Sequence, residues 1–462
     1  MNKEQEEYKF GFHDKRDNVF STGKGISKEI VRQISEYKQE PKWMLEKRLK
    51  AFEIFESKPI PKWGPNLFDL DFEDIVYFTK ASENVEKSWE DVSDDIKDTF
   101  KKLGVIDAEA EALAGVSNQY DSEVVYESML EEVREKGIIF VDTDTALKKY
   151  PDLFRKYFEK IVPATDNKFS ALNSAVWSGG TFIYIPENTI LEKPLQAYFR
   201  MNSQDIGQFE RTIIVVGENS SVHYLEGCTA PIFGTESLHA AVVEIFVEKN
   251  ARCRYSTVQN WSSDVLNLVT KRAIVEENGL MEWVDGNIGS TVTMKYPACI
   301  LKGDYSKGKM ISVAIAGEGK DMDTGAKMIH LGKNTRSDIV SKSISHSGGN
   351  TTYRGLVDHK KTASNAISNI ECDTIIVDDI STSDTVPYNL TQNATSKITH
   401  EATVSKVDSQ KLFYLMSRGL SEQEATQVLI LGFINEFVEE LPTEYSVELN
   451  RLIELDMSDS IG

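Results

Sequence analysis

Three residues in the last third of the chain have side chains of types that bind metal ions. Cys372 lies beside a short β-type run, and His400 and Glu401 follow where the pattern turns from strand to helix. A thiol, an imidazole and a carboxylate that converge at one edge of a β-rich body predict a soft-metal site. The alternative is a strand cysteine with a surface His-Glu pair. Because adjacent strand residues point to opposite faces, His400 and Glu401 share a site only where the chain bends.

The other cysteines are Cys228, Cys253 and Cys299, and none of the four forms a CxxC pair. This spread favours reduced thiols over a disulfide framework and argues against a preformed structural zinc site. We interpret Cys253 and Cys299 as small apolar core residues. Cys228 follows a glycine at a turn-like break in YLEGCTAP, where we expect an accessible thiol that can accept sulfur.

Composition and charge exclude several classes of protein. The 462 residues carry 73 acids against 52 bases, a formal charge of −21. Such a chain does not present a broad surface for nucleic acid or for an anionic membrane, so we expect neither as a partner. The polar N-terminus lacks the apolar core of a signal peptide, and no apolar run reaches the length of a membrane span. We expect a cytoplasmic protein.

Motifs for nucleotide hydrolysis and for nucleophilic catalysis are missing. GKGISKE at Gly23 lacks the glycine spacing of a phosphate-binding loop, and no GxGxxG opens a helix after a strand. Neither HExxH nor GxSxG occurs. We therefore expect that the chain is not itself an enzyme of these classes.

The elements that must position the candidate residues lie in three segments that differ in predicted secondary structure. Residues 1–165 are predicted to be mainly helical, 166–406 consist of short β-type runs with turn residues between them, and 407–462 are helical again. Val216-Gly-Glu-Asn, Val247-Glu-Lys-Asn and Val275-Glu-Glu-Asn start 31 and then 28 residues apart, and Leu331-Gly-Lys-Asn repeats the pattern. This spacing suits one coil of a solenoid and favours a mainly β fold with a parallel β-helix core over a β-sandwich.

Individual helices are predicted from apolar spacing and stop signals. In the N-terminal part we expect helices over 26–37, 41–55, 94–103, 123–135 and 143–161, the last interrupted by Pro151. In the C-terminal part a helix over 409–418 ends at Gly419, and the capping box from Ser421 to Glu424 opens a second helix that Pro442 stops. A final helix is expected over 444–455. This helical group is predicted to cap the solenoid and to dock a partner.

Several long strings together resemble one protein family. They are DSEVVY at Asp121, DNKFSALNSAVWSGGTFIY at Asp166, LHAAVVE at Leu238, YSTVQNW at Tyr255, DTGAKMIHLGKNT at Asp323, YRGLV at Tyr353 and HEATVSKV at His400. These strings span almost the whole chain and are similar to the SufB family, the scaffold subunits of the SUF iron-sulfur cluster assembly machinery.

The resemblance implies a fold and a set of partners. SufB-type proteins have an N-terminal helical domain, a right-handed parallel β-helix core and C-terminal helices. They act as nonenzymatic scaffolds with the paralogue SufD and the ATPase SufC, which supplies the missing ATP hydrolysis. The C-terminal helices become the expected SufC dock, and the β-helix the surface for SufD or for a second copy in a homodimer. SufS with SufE or SufU would donate persulfide sulfur for a transient [4Fe-4S] or [2Fe-2S] cluster, and the complex would be a candidate to bind reduced FAD.

The resemblance also assigns roles to residues by local match. The entry thiol lies in a string like YLEGC, which gives Cys228, and the cluster-assembly thiol matches Cys372, with His400 and Glu401 as nearby candidate ligands. A polar sulfur route through the β-helix interior matches five residues: Arg200, Asn202, Gln259, Trp261 and Lys271. Buried basic residues need partners or water, and a polar channel that meets this need would favour a persulfide anion.

Two other functions stay open on the sequence. A SufD-like structural partner would lack its own cluster site, whereas this chain has both candidate thiols and the HEA string. A carbohydrate-active β-helix enzyme would need paired carboxylates in an exposed groove, and Glu282 with Asp285, or Asp321 with Asp323, are the candidate pairs. The expected cytoplasmic location and the absence of aromatic clustering around these acids count against the enzyme.

Overall fold

The turns that repeat in the sequence end successive coils of the protein. In a computed structural model, Asn219, Asn250, Asn278 and Asn334 all adopt the left-handed conformation, with φ between 54° and 57°. Asparagine tolerates this conformation better than most residues, which explains its recurrence. The side chains also stack, because the Asn250 amide donates to Asn219 Oδ1 and the Asn219 amide to Asn188 Oδ1, each at 2.9 Å. The turn repeat thus confirms the solenoid.

The structure describes residues 19–441 apart from 69, 81–85, 87, 89, 95, 98–100, 102–112, 202–204 and 231–236, together with residue 453. Three predictions fall wholly or partly outside these residues. They are the role of Asn202, the helix over 94–103 and the final helix over 444–455.

Two long sheets make up the core, and almost all their neighbouring strands are parallel. In chain order the ten-stranded sheet contains β3 (Gly115–Tyr120), β4 (Glu123–Met129), β7 (Leu195–Arg200), β10 (Ser221–Thr229), β13 (Arg252–Asn260), β15 (Leu280–Ile288), β18 (Lys307–Ala316), β21 (Arg336–Ser345), β23 (Ile367–Ile376) and β25 (Lys397–Lys406). Its spatial order is β25-β23-β21-β18-β15-β13-β10-β7-β3-β4. The fold is therefore a mainly β protein with a parallel β-helix core.

The thirteen-stranded sheet supplies the other wall of each coil. Its strands are β5 (Ile139–Asp142), β6 (Thr181–Ile185), β8 (Gly207–Gln208), β9 (Arg211–Val216), β11 (Ser237–His239), β12 (Val242–Val247), β14 (Val265–Val275), β16 (Val292–Lys295), β17 (Ala298–Leu301), β19 (Asp321–Thr324), β20 (Lys327–His330), β22 (Asn350–His359) and β24 (Thr382–Thr391). A separate ribbon pairs β1 (Phe20–Ser21) with β2 (Thr79–Lys80). The chain alternates between the two long sheets through most of the core, and each coil stacks on the one before.

Nine helices flank the described sheets. They are α1 (Lys28–Tyr37), α2 (Lys42–Ser57), α3 (Glu131–Glu135), α4 (Thr143–Lys149), α5 (Pro151–Tyr157), α6 (Lys168–Val176), α7 (Ser409–Ser417), α8 (Glu422–Phe433) and α9 (Asn435–Glu439). The predicted stop at Pro151 is confirmed, since this residue separates α4 from α5. The predicted capping box is also confirmed, with the Ser421 and Glu424 side chains bonding reciprocally at the start of α8. None of the described helices is long and apolar enough to cross a membrane.

One predicted helix is wrong. The interval 123–135 forms the strand β4 and only then the short helix α3. β4 folds back on β3 as an antiparallel hairpin, and Asp121 takes a φ of 55° at the turn. Because β3 also pairs with β7, the strands of the ten-stranded sheet begin inside the segment predicted to be mainly helical. The backbone groups of the β-branched run in EVVY form their hydrogen bonds through this pairing. The local spacing of apolar residues does not show such a partner.

The C-terminal helices pack on the outer face of the ten-stranded sheet. Ile430, Ile434 and Phe437 join one apolar cluster with outward side chains of the sheet, such as Val313 and Ile344. The single helix expected up to Pro442 is two, since α8 ends at Phe433 and α9 begins at Asn435. This packing buries one side of α8 and α9.

Candidate functional site

Cys228 lies in the interior of the β-helix, near the end of β10. Its side chain is 1% exposed and belongs to the apolar interior cluster that also contains Cys372. The accessible turn expected from the sequence is therefore not what the structure shows at this residue. β10 ends at Thr229, one residue further on. The preceding Gly227 continues the strand in register with Val258 of β13.

A buried network of charges lies beside this thiol. Lys271 Nζ is 3.6 Å from Glu226 Oε1 and 3.5 Å from Asp285 Oδ1, and it donates to Thr257 Oγ1 at 2.8 Å. Lys295 Nζ is 2.9 Å from Asp285 Oδ2. Two ammonium groups and two carboxylates thus share one interior site, where each charge needs the others because water does not solvate it.

The charges set the protonation of the groups around Cys228. Burial raises the pKa of the Cys228 thiol well above its ordinary value, and Glu226 adds to the rise while Lys271 and Lys295 oppose it. Burial lowers the pKa of Lys295 to about 8 against the attraction of Asp285. Burial also acts to raise the pKa of Asp285, but Lys295 and Lys271 together bring it below its ordinary value. An anion formed at Cys228 would therefore gain from the two ammonium groups.

Besides Lys271, two residues of the predicted sulfur route lie in this network or next to it. Gln259 stands directly opposite Cys228 on the next coil, and its Oε1 accepts hydrogen bonds of 2.8 Å from Lys295 Nζ and from Asn267 Nδ2. Trp261 packs its ring 4.6 Å from the ring of His239. The indole Nε1 of Trp261 and the Nε2 of Gln259 are buried without a hydrogen-bond partner in the described part of the chain. These donors are suited to a transient anionic guest.

Arg200 lies on the opposite face of its strand from the interior of the β-helix. In β7 it follows Phe199, which stands in register with Cys228 and belongs to the interior cluster. Strand alternation therefore assigns Arg200 to the opposite face, where its Nη1 donates to Thr229 Oγ1 at 3.2 Å. The structure thus separates Arg200 from Lys271 and Gln259, with which the sequence grouped it.

A single column of polar side chains connects the surroundings of Cys228 to Cys372. Strand pairing places one residue of each coil in register, and this column consists of Glu226, Thr257, Asp285, Ser312, Ser341 and Cys372. All six side chains are buried, and Ser312 Oγ donates to Ser341 Oγ at 3.2 Å. Five steps between neighbouring strands span about 24 Å. We call this set the interior polar column.

Cys372 lies near the last coil, next to an aromatic residue that the sequence did not single out. Burial raises the pKa of the Cys372 thiol to about 12; the adjacent Tyr353 hydroxyl opposes this rise, and Asp373 and Glu371 add to it. Tyr353 belongs to β22 in the facing sheet, and its ring centroid is 6.4 Å from that of His400. The string YRGLV contained Tyr353, but only the pairing of the two sheets brings it to the thiol.

His400 lies on the same face of the ten-stranded sheet as Cys372, but the two residues are not directly opposite each other. In β25, Ala402 stands opposite Cys372, and His400 stands opposite Ile370. Strand spacing and the rise of two residues put the Cα atoms of Cys372 and His400 about 8 Å apart. Burial lowers the pKa of His400, which favours the neutral imidazole that binds metals.

The hydrogen bonds of His400 leave one ring nitrogen open. The Asn389 amide lies 3.3 Å from Nδ1, and Nε2 is buried with no partner among the described residues. If the Asn389 carbonyl instead accepted a proton from Nδ1, Nε2 would be free to bind a metal. The orientation of the Asn389 amide therefore decides whether Nε2 carries a proton or an open lone pair.

Glu401 points away from this pair. It stands in register with Glu371, on the face opposite to Cys372, and its side chain is exposed. The expected turn from strand to helix does not occur here, because β25 continues to Lys406 and α7 begins at Ser409. Within the described ranges no three His, Cys, Asp or Glu side chains lie close enough to hold a metal ion.

The protonation of Cys372 leads to a testable prediction. Because the reactive form is the thiolate, its alkylation by iodoacetamide should rise about tenfold per pH unit from about pH 8 to about pH 11 in the folded protein. In the denatured chain the same cysteine should level off above about pH 9. Pulsed labelling followed by peptide mass spectrometry measures both rates. A plateau near pH 9 in the folded protein would contradict the assigned burial of the thiol.

The carboxylate pairs considered for sugar chemistry are not arranged for it. Glu282 and Asp285 fall on opposite faces of β15 by strand alternation, and Asp285 is committed to buried lysines. Asp323 binds Arg354 at 2.7 Å and accepts from the Tyr296 hydroxyl at 2.9 Å. These contacts do not leave a free pair of acids across a groove.

Comparison with known proteins gives consistent matches along the chain. Residues 199–433 match the family described as SUF system FeS cluster assembly, SufBD core domain, and residues 31–197 match the SufBD protein N-terminal region. The chain is 58% identical over 456 residues to the iron-sulfur cluster assembly protein SufB of Bacillus subtilis, covering 99% of this chain and 98% of that protein. Iron-sulfur cluster assembly SufBD family proteins of Staphylococcus epidermidis and Staphylococcus aureus match with the same identity and coverage.

Proposed function

Because this chain belongs to the SufBD family of the SUF system and has a role in iron-sulfur cluster assembly, we propose that it is the scaffold on which a cluster is built. In this proposal Cys228 accepts persulfide sulfur, Cys372 binds the nascent cluster, and the chain catalyses no reaction of its own. The interior polar column carries the proposal, since it links the two thiols inside one β-helix.

Sulfur acceptance at Cys228 is an exchange between sulfur atoms. The Cys228 thiolate attacks the outer sulfur of a donor persulfide, a new S–S bond forms, and the donor thiolate leaves. Burial disfavours this thiolate, and Lys271 and Lys295 offset part of the cost. The same two ammonium groups would hold the persulfide anion that results.

Transfer to Cys372 needs a second step. The column spans about 24 Å, which is too far for one thiol to attack the other. Sulfur would therefore leave Cys228 as hydrosulfide, after a two-electron donor reduces the S–S bond. A thiol reductant or reduced FAD would supply these electrons, and the proposal assigns no residue of this chain to FAD. Hydroxyl groups such as those of Ser312 and Ser341 would donate hydrogen bonds to the moving anion.

Cluster binding would begin with Cys372 and His400. The iron-sulfur cluster is cargo, and a site with one thiolate and one imidazole from this chain holds it less tightly than four thiolates would. Such weakness suits release to a carrier. Glu401 lies on the other face, so it would join only after β25 rearranges. The remaining ligands would come from a partner chain.

Exposed apolar side chains support the proposed partners. α7 presents Phe413, 74% exposed, next to Tyr414, and we propose this helix with α8 as the dock for the SufC ATPase. Tyr388 of β24 and Val404 of β25 are exposed on the last coil, which we propose to meet SufD or a second copy of this chain. SufS with SufE or SufU would deliver the sulfur.

Replacing Ser341 by alanine tests the interior polar column. A lost hydrogen bond to an anion costs about 1.5–3 kcal/mol, so transfer of sulfur from Cys228 to the cluster should slow about tenfold or more. Cluster formation in the assembled complex is measured by absorbance under anaerobic conditions, once with a persulfide donor and once with free sulfide. Only the persulfide-fed reaction should slow.

Ser343→Ala is the matched control. Ser343 is a buried serine of the same strand and face. The residue directly opposite it on the neighbouring strand is Ala314, which has no hydroxyl group, so Ser343 is not part of a continuous polar column. It should leave both reactions unchanged. Equal rates for Ser341→Ala and the unmodified chain with the persulfide donor would exclude the column as the route.

A further inference from the structure

A cavity outside the β-helix has the features of a ligand site. Its volume is about 420 Å³, within the range of small-molecule pockets in proteins. Three elements enclose it: the loop 58–63, the start of α6, and the outer face of the thirteen-stranded sheet at β14, β16 and β20. It lies on the opposite side of the sheet wall from the interior polar column, and Lys271, whose ammonium group belongs to the interior network, borders both.

The cavity is positively charged in a strongly acidic protein. Apart from Lys271, whose ammonium group is bound in the interior network, its lining contains the bases Lys58, Lys168, Arg272 and Lys327 against the single acid Asp166. The whole chain, in contrast, has a formal charge of −21. A local excess of bases of this kind attracts anions.

Lys168 and Arg272 already have partners. Lys168 Nζ donates to the carbonyl oxygens of Phe55 and Lys58 at 2.8 and 2.7 Å, which ties α6 to the loop. Arg272 Nη1 is 2.8 Å from Asp166 Oδ1. Both side chains therefore serve to build the cavity, and the charge of Arg272 is already balanced by Asp166.

Lys327 differs from Lys168 and Arg272 because its ammonium group has no such partner among the described residues. Its ammonium group makes no ion pair or hydrogen bond with any residue that the structure describes, and it lies 5.0 Å above the ring of Tyr296. Burial lowers the pKa of Lys327, and the nearby guanidinium groups of Arg272 and Arg354 lower it further. The two acids that attract Lys327 already have partners, since Asp166 is paired with Arg272, and Asp323 is held by Arg354 and by the Tyr296 hydroxyl. A bound anion would supply the missing counter-charge.

Donors from the backbone add to this cation. Lys168 and Phe169 are the first residues of α6, a nine-residue helix whose N-terminus borders the cavity. The first N–H groups of a helix have no partner within it and attract anions. An anion between Lys327 and the start of α6 would therefore have both a charge and directed donors.

Aromatic side chains complete the site. The Trp63 ring is 49% exposed and lies 5.9 Å from the Tyr296 ring. Arg354 covers Trp63 at 5.1 Å, which leaves another part of the indole open at the cavity. An exposed indole at the mouth of a pocket offers a surface for a flat ring.

We propose that this cavity binds a small anion that carries an aromatic ring, with Lys327 and the start of α6 on the anionic group and Trp63 on the ring. A mononucleotide and a simpler aryl phosphate share this chemistry. The probes are AMP, phenyl phosphate, adenosine and inorganic phosphate, each titrated into the full chain and followed by ligand-detected NMR.

AMP or phenyl phosphate is expected to bind with a Kd of about 1 mM or tighter, and adenosine and phosphate at least about tenfold more weakly. Binding of AMP but not of phenyl phosphate would identify the nucleotide as the occupant; equal binding would identify a general aryl phosphate site. No binding of either, or equal binding of AMP and adenosine, would overturn the proposal.

Two variants connect binding to the named residues. Lys327→Met should weaken AMP about tenfold or more, because the ligand loses its counter-charge. Trp63→Leu should weaken AMP without changing the weak binding of phosphate. Lys333→Met, at an exposed lysine in a coil turn, is the matched control and should bind like the unmodified chain. Circular dichroism checks that each variant is folded, and unchanged AMP binding in folded Lys327→Met would contradict the site.

Discussion

Replacement of Cys372 by alanine is expected to abolish cluster formation on this chain while the protein still folds and assembles with its partners. In the described part of the last coils, Cys372 shares a face of the sheet with His400, whose Nε2 has no hydrogen-bond partner among the described residues. Loss of an outer-shell partner already weakens a metal site 10- to 100-fold, and loss of the thiolate itself should exceed about 100-fold. Anaerobic absorbance, with iron and sulfide analysis of the purified complex, measures the effect.

A second buried cysteine provides the control for this variant. Cys299→Ala removes a fully buried thiol of the same interior cluster, far along the chain from the proposed ligands. It should retain the cluster, although both variants lose a similar amount of packing. Normal iron and sulfide content in Cys372→Ala, in a complex of normal composition, would disprove the assignment of Cys372 as the cluster thiol.

Replacement of Cys228 by alanine should remove the acceptance of persulfide sulfur. No other thiol lies beside the lysine network, since Cys253 and Cys299 are packed in apolar surroundings. Radiolabelled sulfur from a persulfide donor should fall to background on this chain, because the attacking thiolate is gone. Cluster formation from free iron and sulfide should persist, since Cys372 is intact.

The comparison of the two sulfur sources separates this prediction from the first. Cys372→Ala should fail with both sources, whereas Cys228→Ala should fail only with the persulfide donor. Cys253→Ala is the control, because Cys253 lies in the neighbouring strand β13 and is equally buried. Undiminished labelling of Cys228→Ala would show that sulfur enters elsewhere.

Parts of the fold were predictable because they rest on local chemistry. The Asn turns mark coils since asparagine tolerates a positive φ, and the stop at Pro151 follows from the missing N–H. The interval 123–135 was mispredicted because its pairing partner lies in β3, outside the window that spacing covers. Local signals report what a segment can form, and pairing decides between the possibilities.

The site was predictable only as a set of residue types. Resemblance singled out Cys228, Gln259 and Lys271, and the structure brings these three together. Resemblance did not single out Glu226, Asp285 or Lys295, because nothing in their local strings distinguishes a buried charged side chain from an exposed one. Tyr353 stood in a family string, but no role was assigned to it. Buried lysines become visible only with the carboxylates that compensate them.

By itself, the sequence determined the class of fold and the family, since turn residues and long family strings are readable in one dimension, and it singled out two candidate thiols. Only the tertiary structure decided which side chains share the interior. Successive members of the interior polar column are 31, 28, 27, 29 and 31 residues apart, so no fixed period predicts it. A shift of one residue moves a side chain to the other face of a strand, and this separates Glu401 from Cys372 and keeps His400 beside it.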